Sequence, residues 1–196
     1  MKYCKLTALI LAAALALAPA AGCKHEKISS SDTTKYADNP DVGAVKINAS
    51  LDEKVTANET EFSVNRVIDA GAQTENGEHY VYLDVTVRNT TATEYELSRL
   101  NNFYIVLPDG TEVSSAVRTE LYAINNFSDQ YKKSPFTVPA GGTFSGIIGG
   151  YVLREDQFDF TIGFFPTREN TEDKKNVILI PIKSSDIVPL PDELKK

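Results

Sequence analysis

The chain has 196 residues, of which 42% are hydrophobic and 24% charged; this is the balance of one globular domain with appendages and excludes wholesale disorder. Formal net charge is −7, from 20 basic and 27 acidic residues, which argues against a nucleic-acid surface. Two His, two Cys, one Met and no Trp remove most nucleophilic and metal-binding constellations.

Lys2 and Lys5 precede an uncharged run from Leu6 to Ala18, shorter than the ~20 residues that a bilayer-spanning helix needs. Ala20-Ala21-Gly22-Cys23 follows. A basic start, a short apolar stretch and small residues before a cut describe a cleaved export signal over residues 1–22. The Cys directly after Ala-Ala-Gly resembles the bacterial lipobox, although Leu is usual where Ala20 stands. The resemblance implies that Cys23 is acylated and becomes the new N-terminus, which anchors the protein by lipid on the extracytoplasmic face of the cell membrane. The alternative is an ordinary signal peptide cut nearby, leaving Cys23 as a free thiol. Loss of Lys2, Cys4 and Lys5 would leave a net charge of −9 and Cys23 as the sole cysteine, so no intramolecular disulfide could form.

Residues 24–45 are dominated by Ser, Thr, Asp and Lys without apolar periodicity and read as a solvated tether. As a flexible coil it would span roughly 25 Å. His25 in this stretch reads as inert. Asp38, Asn39 and Asp41 lack the alternating spacing that wraps oxygens around Ca²⁺.

The body reads as strands. Val81, Leu83, Val85 and Val87 alternate with Tyr80, Tyr82, Asp84, Thr86 and Arg88, the period-2 signature of a half-buried strand. Upstream, Phe62 and Val64 alternate until Arg66-Val67 breaks the phase, which predicts a bulge or strand end; residues 69–78 read as a hairpin loop. Residues 102–107 form a further strand, closed by the turn Pro108-Asp109-Gly110. Residues 113–134 have mixed character, long enough for a short helix or a functional loop. Residues 143–153 are apolar but contain Gly146, Gly149 and Gly150, which mark a bend, a bulge or a close backbone neighbour. Phe158, Phe160, Ile162 and Phe164 share one face of the next strand. Residues 176–182 close the set, with Pro181 favouring a sheet edge. Six to eight short strands and no convincing long helix predict an antiparallel β-sandwich. The expected domain spans residues 46–183, with 184–196 as a C-terminal tail.

The succession Val87-Arg88-Asn89-Thr90, Pro108-Asp109-Gly110, Pro139-Ala140-Gly141-Gly142 and the aromatic strand Phe158 to Phe165 resembles the telokin-like domain of exported bacterial lipoproteins, a family of uncharacterised function. The resemblance implies an immunoglobulin-like β-sandwich of seven to eight strands without a disulfide. It carries no catalytic residues, so it speaks to fold and not to activity.

Catalytic chemistry finds little support. A serine hydrolase needs a base near its nucleophile, and His79, the one histidine of the folded part, starts a strand. Ser145 lacks the first glycine of a nucleophile elbow. Glu155, Asp156 and Asp159 crowd one turn and are weak candidates for Ca²⁺; Glu169, Glu172 and Asp173 crowd another. No cofactor or transition metal is expected. The aromatics stand out instead. Tyr122, Phe127, Tyr131 and Phe136 fall in or beside the long mixed segment, and Tyr80 and Tyr82 sit on the polar face of the clearest strand. They either form a surface for an extracellular protein, peptide or glycan, or cap the core and brace neighbouring strands. The expected function is a non-enzymatic binding module; a structural subunit pairing through its sheet edge and a carboxylate hydrolase are the alternatives.

Overall fold

In a computed structural model, which describes residues 41–127, 129–168 and 174–196, the alternating runs become strands of two facing sheets. In chain order the elements are β1 (Val45–Asn48), β2 (Val55–Ala57), β3 (Thr60–Ala72), β4 (His79–Asn89), β5 (Tyr95–Leu97), α1 (Arg99–Asn102), β6 (Phe103–Val106), β7 (Glu112–Val113), α2 (Val117–Asn126), β8 (Phe136–Val138), β9 (Thr143–Leu153), β10 (Phe160–Phe164), β11 (Asn176–Ile182) and β12 (Ile187–Pro189). One sheet runs β1-β11-β10-β6-β7 and the other β12-β3-β4-β9, with β2 also on β3; β5 and β8 form a small ribbon. The architecture is an all-β sandwich. Two pairs depart from the antiparallel expectation, β1 with β11 and β12 with β3, both parallel. The strand count exceeds seven to eight because several strands are only two to four residues long.

The core lies between the sheets. Phe62, Val64 and Val67 of β3, and Val81, Leu83, Val85 and Val87 of β4, meet Phe103, Ile105, Phe160, Ile162, Phe164, Ile178 and Ile180. Phe164 is the hub, with its ring 4.2 Å from Phe62 and 4.6 Å from Phe103. Each such side chain contributes about 1.5–3 kcal/mol through burial. The phase break at Arg66 is a register shift between Val64 and Arg66 against β4; the extra residue lets Val64 and Val67, three apart, both point inward.

Pro181 lies in a strand flanked on both sides, not on an edge strand. The proline is tolerated because β1 pairs only with Asn176 to Leu179, so Pro181 faces β10 on one side and open space on the other. Other free edges are short or covered. The outer side of β9 is taken by the Lys132 N–H to Ile147 O (2.8 Å), the Ile147 N–H to Gln130 O (2.9 Å) and the Ala116 N–H to Gly150 O (2.9 Å). Gly146 and Gly150 permit this approach: a Cβ at Gly146 would stand 2.8 Å from Lys132 Cγ, and one at Gly150 2.0 Å from Thr119 Oγ1.

A second apolar layer covers part of the outer face of the β3-β4-β9 sheet. The mixed segment 113–134 contributes α2, and Ala123, Phe127 and Tyr131 pack with Leu194 onto Ile68, Tyr80, Tyr82 and Ile147. Residues 184–196 are therefore not a tail. They supply β12, the fully buried Leu194, and backbone bonds from the Leu190 N–H to Asp69 O (2.8 Å) and from the Lys196 N–H to Asn126 O (3.0 Å).

The two ends of β3 define two poles, roughly 30 Å apart at ~3.3 Å per residue between Thr60 and Asp69. The chain enters at the Thr60 pole. Val45 pairs with Asn176, whose side chain donates to Asn58 Oδ1 at 2.7 Å, next to the start of β3. The Asp69 pole carries the C-terminal turn of α2 and the last residues of the chain.

Candidate functional site

At the Asp69 pole a groove of about 450 Å³ opens between the end of β3, α2 and the C-terminal segment. Asp69 forms its floor; Tyr122, Asn125 and Asn126 form one wall; Leu190, Lys195 and Lys196 form the other. Two register shifts in β3, the second between Asp69 and Ala72, turn the chain so that the Asp69 carboxylate accepts from the Gly71 N–H (2.8 Å) and meets His79 Nδ1 at 2.9 Å. His79 Nε2 lies 3.6 Å from Glu155, and its ring meets Phe158 edge-on at 5.3 Å.

The helical wall is fixed by three devices. Thr119 Oγ1 donates to Gly150 O (2.9 Å), and Tyr82 Oη donates to Thr119 O (2.8 Å). Arg99 of α1 clamps the N-terminal half: its Nη2 is 2.5 Å from Glu120 Oε2, and its Nη1 donates to Ser115 Oγ (2.7 Å) and Ala116 O (3.2 Å). With Thr119 and Ala123 turned inward, Val117 and Leu121, one turn apart, face outward at 65% and 58% exposure.

The aromatics selected from sequence are brought together, but mostly as packing. Tyr82 and Phe127 meet at a tilt with centroids 4.6 Å apart, Tyr131 meets both, and Tyr80 meets Tyr122 edge-on at 5.4 Å. Tyr80, Tyr82, Phe127 and Tyr131 are buried, so they are corrected from surface candidates to the floor beneath α2. Burial pushes the phenols of Tyr82 and Tyr131 well above the usual tyrosine range, as expected where the charged form would lose its water. Tyr122 is half-buried and lines the groove. Phe136 is buried in the main core.

The acidic turn is dispersed among separate partners. Glu155 faces His79. Asp156 pairs with Arg154 at 3.0 Å, and this guanidinium holds its carboxyl below the usual range. Asp159 accepts from the Ser184 N–H (2.9 Å) and faces Lys183 at 3.1 Å, which lower it likewise. No group of three or more His, Cys, Asp and Glu side chains suited to a metal ion occurs among the described residues. Ser145 pairs with Thr86, whereas His79 pairs with Leu153; eight residues of strand, roughly 25 Å, separate the hydroxyl from the imidazole. Cys23, His25, Asp38, Asn39, Glu169, Glu172 and Asp173 lie outside the described residues. No helix among the described residues is long and apolar enough to cross a membrane.

Nothing local in the sequence announces the Asp69–His79 pair, which forms across a hairpin with nine residues between the partners. Nor did it point to Asn125, Leu190 or Lys195; Tyr122 is the residue of the groove's lining that the sequence singled out.

A family model described as a domain of unknown function, DUF4352, matches residues 49–165. The chain belongs to the DUF4352 family. The match takes in β3, β4, α2 and β9 but ends before β11 and β12, so one wall of the groove lies inside the DUF4352 span and the other beyond it. No curated protein matches the chain. Among solved structures it is similar to the yjhA protein from Bacillus subtilis, at 16% identity over 68% of this chain and 98% of that chain, with a TM-score of 0.48. It is also similar to an uncharacterised β-sandwich protein from Clostridium difficile 630, at 15% identity over 70% and 96% with a TM-score of 0.43. A conserved hypothetical protein from Bacillus anthracis matches at 14% identity over 68% and 94%, with a TM-score of 0.47.

Proposed function

We propose that this protein is an exported, lipid-anchored and non-enzymatic module of the telokin-like kind, which binds a protein or peptide segment in the groove at its Asp69 pole. The observation that carries this reading is the groove's position and make-up. It lies at the pole opposite the one where the chain enters, so a domain tethered through Cys23 would hold it away from the bilayer. Its walls combine a carboxylate (Asp69), two ammonium groups (Lys195, Lys196), amides and apolar surface (Tyr122, Leu190). That mixture suits a peptide, whose side chains carry both charges and apolar groups, better than an uncharged glycan. Val117 and Leu121 extend the apolar surface along α2, in the manner of the central contacts of binding faces.

The structural-subunit alternative is weaker, because β1, β7 and β12 are four, two and three residues long and offer little backbone for strand addition. A hydrolase is weaker still, since the carboxylates of residues 155–159 are each engaged with a different partner.

Two results test the reading. Cys23→Ala should release the domain from membranes or leave an uncut precursor; partition with membranes at the wild-type processed size would end the anchoring proposal. A photoreactive residue at exposed Asn125 should give a discrete adduct on intact cells that Leu121→Asp abolishes, whereas one at exposed Thr56 should give none. Equal adducts from both positions would remove the groove from consideration.

A further inference from the structure

The outer faces of the two sheets differ in chemistry. Beyond the reach of α2, the β3-β4-β9 sheet turns Asp84, Thr86 and Ser145 outward, the polar surface that a sheet carries toward water. The other sheet does the opposite. Ile105, Ile162 and Ile180 point into the core, so their strand neighbours point out. The ladder sets these in two rows across β6, β10 and β11: Val106, Thr161 and Pro181 in one, Tyr104, Gly163 and Leu179 in the next. Neither row holds a charge. Pro181 is exposed and Tyr104, Val106, Thr161 and Leu179 are half-buried, yet none of them belongs to either apolar cluster of the domain. A Cβ at Gly163 would stand 2.2 Å from Tyr104 Cζ; its absence lets the ring lean across β10 and level the face. Burial against the sheet, with the Glu112 carboxylate adding to it, pushes this phenol up to about 12.

The edges of this face are charged, with opposite signs. Lys46 of β1 stands beside Val177 in the ladder and Glu112 of β7 beside Val106, so both lie on the outer side, and both are exposed. The strand order is β1-β11-β10-β6-β7. A basic edge and an acidic edge therefore flank the apolar rows, each two strands from β10. That arrangement is its own complement. A two-fold axis along β10 lays the face on a second copy with β11 over β6 and β1 over β7. Leucine and proline then meet tyrosine and valine, and each lysine edge lies over a glutamate edge. Stacked sheets pack in this way about 10 Å apart. β10 is antiparallel to β11, which is parallel to β1, so the axis runs from pole to pole and both chains enter at the same end. Five strands at ~4.8 Å and five residues at ~3.3 Å give a footprint of about 400 Å². With the relief of the side chains, two copies would bury about 1,000 Å² in total, the lower limit for a specific interface.

We propose that two copies of this chain associate face to face through the outer surface of the β1-β11-β10-β6-β7 sheet, as a weak, reversible and isologous dimer. Sedimentation of the full chain tests this over about 1–500 μM, the range in which an interface of this size associates. The average mass should rise from that of one chain toward that of two. Tyr104→Asp and Pro181→Glu should each weaken the association about tenfold or more, because a carboxylate would be buried among apolar groups. Pro181 is exposed, so its replacement leaves the core intact, and an unchanged thermal midpoint at low concentration shows the fold to be whole. Lys46→Glu should weaken the association about tenfold, since the two-fold sets like charges together at both edges. Lys46→Glu combined with Glu112→Lys should restore it, because the two edges then exchange signs together. A chain that stays monomeric to about 500 μM, whether its own residues 1–40 or a bilayer covers the face, would overturn the proposal. So would association that survives Tyr104→Asp and Pro181→Glu, as association through the apolar residues 6–18 would, or a double charge exchange that restores nothing.

Discussion

Arg99→Met is expected to lower the unfolding free energy by about 3–5 kcal/mol, the range for breaking a buried ion pair by removing one partner. Arg99 is 5% exposed, and its guanidinium joins α1 to the start of α2 through Glu120, Ser115 and Ala116. Methionine fills similar volume, so the loss falls on Glu120, whose side chain is 17% exposed and would be left without its guanidinium partner. The double variant Arg99→Met, Glu120→Leu should recover most of the loss, since a well-packed apolar pair replaces a buried ionic one at little net cost. Arg99 Nε has no hydrogen-bond partner among the described residues, and its removal favours that recovery further. Denaturant unfolding of the two variants checks this: a cost below about 1 kcal/mol for the single change, as for an exposed pair, would mean that the clamp does not hold α2.

The second large effect concerns β4, which is built differently along its two halves. Leu83→Ala should cost about 2–5 kcal/mol, and Tyr82→Ala, on the opposite face, about 3–5 kcal/mol, as for other buried large-to-small changes. Thr86→Ala, only four residues further along Tyr82's face, should cost about 0.5 kcal/mol. The contrast follows from cover. Tyr82 lies beneath α2 and Phe127, whereas Thr86 is half-buried among polar neighbours, accepting from Asn65 Nδ2 at 3.0 Å. Equilibrium unfolding would read all three. A small effect at Tyr82 would mean that α2 does not form a packed second layer, and a large one at Thr86 that the layer reaches further than described.

What was legible in the sequence was whatever the chain encodes locally. The alternation of Val81, Leu83, Val85 and Val87, the phase break at Arg66, the turn at Pro108-Asp109-Gly110 and the glycines of β9 each carry their signal within a few residues, and each is found in place. The outer layer was illegible because its signal is inverted. The inward stripe of α2 is Thr119, Ala123 and Phe127, one polar, one small and one aromatic, whereas the outward stripe holds Val117 and Leu121; no amphipathic period points to the core. Tyr80 and Tyr82 read as solvent-facing because they alternate with valine and leucine and share a face with Asp84 and Arg88. Only contact with α2, some forty residues later in the chain, makes that half of the face a core. Residues 184–196 read as a tail, although Leu190 and Leu194 secure them. The groove draws its two walls from segments about seventy residues apart, so no local pattern could have announced it.

The parallel pairing of β1 with β11 governs how the domain would bear mechanical load. The chain enters at the first residue of β1, and the strand runs from that pole toward the other. A pull on the entering chain, resisted by a partner held at the far groove, acts along the strand axis. The Gly43 N–H to Lys174 O, Val45 N–H to Lys175 O and Ala49 N–H to Leu179 O bonds, 2.8 to 3.0 Å long, are then strained in shear and share the force, instead of opening one after another as in a peeled hairpin. On the proposed anchoring and binding, a strand of four residues would in this way serve as a mechanical clasp between the two ends of the domain.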